Sequence, residues 1–116
     1  MTVSDNLYIS ERIRHPERVL KKLYNKKFMR KCVLVIYSKD DDRIEMISSY
    51  FLKQKHYQNR EFIVAGVFLS EDDAMEYIRL LVAVSYKKFS DFVPLDAVKS
   101  IRVIEIEEYI KEENVE

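Results

Sequence analysis

The chain has 116 residues, no formal net charge, 47% hydrophobic and 34% charged side chains, and only one glycine, one cysteine and two histidines. Average usage would supply about eight glycines, so the lone Gly66 excludes phosphate-cradling loops, dinucleotide fingerprints and nucleophile elbows, each of which needs several. The length suits one soluble α/β domain spanning 1–116 that folds without disulfide or metal, and no apolar run approaches the roughly 18 residues of a membrane span.

The first residues, Met1 to Tyr8, read as a frayed end, and their lack of a basic region and an apolar stretch excludes a signal peptide. Together with the single cysteine this points to the cytoplasm. Residues 16–27 predict a helix: Pro16 suits a first helical position, and Val19, Leu20, Leu23 and Tyr24 form an apolar stripe opposite the basic residues. Cys32 to Tyr37 is a β-branched apolar run without alternation, as expected of a strand covered on both sides.

From Asp40 to Lys55 the spacing of Ile44, Ile47 and Phe51 predicts a second helix, which the polar run His56 to Arg60 ends. Glu61 to Leu69 is a second strand with two apolar faces. Ser70 with Asp73 forms a capping box for a third helix whose core stripe is Ala74, Tyr77, Ile78, Leu81 and Val82. After a loop with Pro94, Ile101 to Ile106 reads as a third, edge strand, and the tail from Glu107 as helical, with 109–116 frayed. The order α-β-α-β-α-β predicts a three-stranded parallel or mixed sheet with helices on both faces. A shift of 32 residues lays Val35–Asp41 on Val67–Asp73, two copies of ordinary strand-to-helix chemistry.

Charge is segregated along the chain. Nine cations between Arg12 and Lys31 face only Glu17, and six glutamates between Glu105 and Glu116 face only Lys111. Such asymmetry suits a nucleic-acid or acidic-protein contact by the basic segment, unless the two ends meet and neutralise each other. Lys21, Lys22 and Lys26 mark this candidate surface; Tyr24 and Phe28 lie among the cations, but no stacking motif for RNA accompanies them. A second candidate surface is the helix at 74–86, where Met75, Leu80 and Val84 lie outside the core stripe and call for another helix or a second copy of the chain.

The acids give the only enzymatic lead. If the two strands run parallel, Asp40, Asp41, Asp42, Glu71, Asp72 and Asp73 gather near their carboxyl ends, where a divalent cation for phosphoryl transfer could sit. First-turn acids are also what helix dipoles favour, and that reading is preferred. Cys32 reads as a small buried hydrophobe, and neither His15 nor His56 has a partner at zinc-ligand spacing. No metal and no cofactor is expected.

The run Ile63 to Ser70 leading into Asp73-Ala74-Met75-Glu76-Tyr77-Ile78, with the start Leu7 to Glu11 and the segment Leu95 to Val98, resembles short uncharacterised α/β proteins of clostridia and related Firmicutes. In this chain Asp73-Ala74 stands for the Glu-Ala of that pattern, and the second glycine of its turn is missing. The resemblance implies a bacterial α/β protein and brings no activity with it. The sequence thus points to a non-catalytic interaction or regulatory module, with a small nucleic-acid-associated protein using residues 12–31 as the alternative and a cation-dependent phosphoryl-transfer enzyme behind it.

Overall fold

The computed structural model describes residues 1–25 and 32–115, and its sheet has four strands where the sequence predicts three. In chain order the elements are β1 (Thr2–Ile9), α1 (Pro16–Tyr24), β2 (Val33–Ser38), β3 (Arg43–Ser48), a 3₁₀ turn (Ser49–Lys53), α2 (Lys55–Gln58), β4 (Phe62–Phe68), α3 (Glu71–Phe89), α4 (Pro94–Ser100) and α5 (Val103–Glu113). The strand order is β1-β4-β2-β3. β1 runs parallel to β4, and β2 runs antiparallel to both β4 and β3. The two strands expected to be covered on both sides are the two interior ones, and every residue of β4 is buried.

A bulge in β4 assigns its residues to faces. Val35 pairs with Gly66 and Ile36 with Val64, so Ala65 is the extra residue and the alternation of side chains flips across it. Phe62, Val64 and Val67 therefore join Leu34, Ile36, Ile47, Leu52, Leu23 and Ile13 in one core, on the side of α1 and the 3₁₀ turn. Ile63, Ala65 and Phe68 face the other way, into a core with Val35, Tyr37, Ala74, Tyr77, Leu81, Ala97, Val98, Ile101 and Ile106. Helices cover both faces, as the sequence predicts. No helix of the described residues is long and apolar enough to cross a membrane.

Five expectations are overturned. Residues 1–8 are not frayed but belong to the edge strand β1, where Ser4 Oγ donates to the Val98 carbonyl at 2.9 Å and Asn6 Nδ2 to the Lys99 carbonyl at 2.7 Å. Those carbonyls end α4 and have no partner within the helix, so β1 and α4 satisfy each other. The expected helix at 40–55 is a β-hairpin followed by two short helical turns: Asp42 adopts a left-handed φ of 49° at the turn, which Asp tolerates, and it accepts the Tyr37 hydroxyl at 2.7 Å. The acids here serve a hairpin, and the first copy of the apparent repeat has no helix behind it.

The expected loop around Pro94 contains α4, with Pro94 at its first position. Ile101 to Ile106, expected as the third strand, instead leads into α5. The Glu105 carboxylate accepts the Arg102 backbone N–H at 2.8 Å and opens the helix, whose Val103, Ile106, Tyr109 and Ile110 fall on one face at helical spacing. The helix continues to Glu113, so the expected fraying from 109 is also corrected.

The predicted Ser70 cap is present, with Ser70 Oγ accepting the Asp73 N–H at 3.2 Å, and the helix it starts runs past 74–86 to Phe89. α5 and α4 pack on α3, so Leu80 and Val84 are each only 5% exposed, and of the two covers expected for this face it is the one supplied by helices of the same chain. Of the three residues named there Met75 alone stays in water, 52% exposed. A helix apolar on several sides is here covered on several sides by its own chain.

Candidate binding cleft beside the basic helix

The chain leaves β1 through Ser10, whose backbone N–H still bonds the Val67 carbonyl at 3.0 Å and whose hydroxyl accepts the Arg12 N–H at 3.3 Å. This turn drives Ile13 into the core and throws Arg12 and Arg14 outward. Pro16 then starts α1, and the His15 carbonyl accepts the Arg18 and Val19 N–H groups. Leu23 is fully buried and anchors the helix, with Val19 half-buried beside it. Tyr24, expected in the core stripe, is instead 62% exposed.

Between α1, the start of β2 and the end of β4 lies a cleft of about 360 Å³. Its floor is apolar, formed by Ile13, Val19, Cys32 and Leu69, and its rim is cationic, formed by Arg12, Arg14, Arg18 and Lys22, with His15 between them. Leu69 is 46% exposed although all seven residues of β4 before it are buried. Burial pushes the Cys32 thiol up, and the nearby Lys22 ammonium only partly offsets this, so the thiol is not an activated nucleophile.

Among the described residues the two charged ends of the sequence do not neutralise each other. The glutamates of α5 meet cations of α3: Glu113 pairs with Arg79 at 2.9 Å, Glu105 with Lys88 at 2.9 Å, and Glu112 with Lys87. At the basic end Arg12 reaches Asp73 at 3.6 Å and His15 lies 3.6 Å from Glu17. Arg14, Arg18, Lys21 and Lys22 have no ion-pair partner among the described residues. Lys21 and Lys22 thus stand exposed on α1, while Lys26 and Phe28 lie outside the described residues.

The acids do not converge. Because β2 is antiparallel to β4, Asp40, Asp41 and Asp42 stand beside the start of β4, whereas Glu71, Asp72 and Asp73 follow its end. The parallel arrangement that would have gathered them is corrected by the hairpin. Among the described residues no group of three or more His, Cys, Asp and Glu is arranged to hold a metal ion.

Arg60 is the polar centre that the sequence does not reveal. Its largely buried guanidinium donates to Ser38 Oγ at 2.7 Å and Glu45 Oε2 at 3.2 Å, reaches Asp41 at 3.5 Å, and lies over the Tyr57 ring at 5.2 Å. Those partners are 3 to 22 positions away along the chain, and only the hairpin brings them together. In the groove beside it Arg43 pairs with Glu45, and Asp41 and Glu45 with Arg60 itself, so Arg60 reads as the pin that ties the hairpin turn to β4.

The chain was compared with family models, with curated proteins and with solved structures, and it matches none of them. The cleft is therefore interpreted from its own chemistry.

Proposed function

We propose that this chain is an interaction module that holds an acidic protein partner on the face of α1. The observation behind this reading is the distribution of ion pairs: α3 takes up Glu105, Glu112 and Glu113 of α5, and among the described residues Arg14, Arg18 and Lys22 are left without ion-pair partners around one cleft, with Lys21 beside them on α1. Cations clustered at a concave apolar surface raise the local concentration of anionic partners and speed their capture. They have no evident structural duty, since α1 is held by Leu23, Val19 and Ile13.

Nucleic acid is the second reading, because the same cations would attract phosphates. The aliphatic floor of Ile13, Val19 and Leu69 offers bases no aromatic platform, which favours protein. A direct comparison decides between them: fluorescence anisotropy with labelled polyglutamate and with a labelled single-stranded oligonucleotide of matched charge, at about 0.15 M ionic strength. The expected result is saturable polyglutamate binding that weakens at least tenfold in the Arg18→Glu/Lys22→Glu variant. Oligonucleotide binding that outlasts polyglutamate as salt rises would turn the assignment to nucleic acid, and no binding of either would remove it.

A further inference from the structure

We infer that the cleft beside α1 receives one bulky apolar side chain from an acidic segment of the partner, with Leu69 as the main contact. The inference rests on the proposed function and narrows it from an acidic surface to an acidic peptide with an apolar anchor. Charge alone would be served by a flat basic face, but this one encloses about 360 Å³ over a floor of aliphatic carbon and one thiol.

Leu69 carries the argument. It follows seven buried residues and precedes the Ser70 cap of α3, so its backbone is fixed from both sides while its half-exposed side chain forms part of the cleft's apolar floor. Ile13 and Val19 reach the same space from the other wall and are tied to the core through Leu23 and Leu34. A rigid apolar floor loses little side-chain freedom when it is covered, which is the condition for an anchor pocket. Around it Arg14, Arg18 and Lys22 point charge at whatever enters, so the anchor should be flanked by carboxylates.

The size and lining exclude simpler occupants. A free inorganic anion would leave the floor wet, and an aliphatic chain without acids would leave the rim uncompensated. Among the described residues a nucleotide base would meet no aromatic wall: Tyr24 is on α1 but does not line the cleft.

The test uses the full chain and two labelled probes, a dodecapeptide of alternating Asp and Glu with one central Leu, and its counterpart with Ser at that position. Burial of one Leu side chain predicts that the Leu probe binds at least tenfold tighter in anisotropy titrations. Leu69→Ser should bring the Leu probe down to the level of the Ser probe and leave the Ser probe unchanged. Since Leu69 is half exposed, this variant should melt within a few degrees of the parent, and Val19→Ser provides an independent second lesion on the same floor. Equal binding of both probes to the parent chain would overturn the anchor pocket while leaving the acidic-partner reading intact. Absence of binding by either would overturn both. A single-stranded oligonucleotide that displaces the Leu probe and itself loses tenfold with Leu69→Ser would reassign the pocket to nucleic acid, and self-association abolished by Leu69→Ser would reassign it to a second copy of the chain.

Discussion

At the scale of single residues the only glycine has a definite task. A Cβ at Gly66 would stand 2.6 and 2.9 Å from two atoms of the Phe68 ring and 3.3 Å from the Tyr8 carbonyl oxygen. The ring has little room to yield, because Tyr8 stacks on it at 5.9 Å and Tyr77 leans against it at 5.2 Å, all next to the bulge. Burial also pushes the Tyr77 hydroxyl up, keeping it neutral where it donates to the Ala65 carbonyl. Gly66→Ala should therefore destabilise the fold by about 1–3 kcal/mol. Urea denaturation should show a lower midpoint at unchanged slope; a midpoint equal to that of the parent would mean that the aromatic cluster repacks freely. The glycine's presence was legible in the sequence, but its neighbours were not, since Tyr8 and Tyr77 lie far from it along the chain.

At the scale of elements the contact between α3 and α5 is apolar in its centre and ionic along its margin. Exposed ion pairs contribute little on their own, so Leu80, Leu81, Val84 and Ile106 hold the helices and the charges select their alignment. Arg79 bonds hold the Glu76 and Glu113 carboxyls below the usual glutamate range, against the opposing effect of burial. Burial acts to raise Glu105, and the bonds from Lys88 and the Arg102 N–H together outweigh it, so that carboxyl too ends below the usual range. A carboxyl depressed in the folded state contributes stability above its unfolded pKa, near 4.3, and loses it as the pH falls through the folded value. Melting temperature should thus decline as the pH is lowered from about 4.5, and Arg79→Gln combined with Lys88→Gln should flatten that decline. An equally steep decline in the double variant would show that other carboxyls govern acid unfolding.

At the scale of the whole molecule two cores share the interior strands β2 and β4, so damage to one should be felt by both. Leu80→Glu places a charge at a position 5% exposed in the core between α3 and α5, beside Arg12 and Arg79, whose guanidiniums are already paired with Asp73 and Glu113. The expected outcome is loss of the fold by far-UV circular dichroism, with the side of α1 melting too. A folded Leu80→Glu chain that sediments as a monomer, from a parent that sediments as a dimer, would instead mean that α5 leaves α3 and a second copy covers it. The uncompensated cations of α1 likewise belong to this scale, since they are defined by which ion pairs form elsewhere.

The sequence by itself determined whatever depends on neighbours within a few positions. The scarcity of glycine, the two doubly covered strands, the Ser70 cap and the separation of basic from acidic segments can all be read there, because periodicity and capping act over one or two turns. It misled where local signals were ambiguous: Ile44, Ile47 and Phe51 keep helical spacing across a hairpin strand and the 3₁₀ turn after it, and the β-branched run at Ile101 to Ile106 opens a helix. Only the tertiary structure decided that β1 is an edge strand, held by a bond from Ser4 to a carbonyl 94 residues away. It alone also decided that β2 reverses, parting the two acid clusters, and that α5 neutralises α3 and leaves α1 positive. The physical reason is common to all three: strand pairing and ion pairing join groups distant along the chain, and no local preference specifies which partner a strand edge or a charge will find.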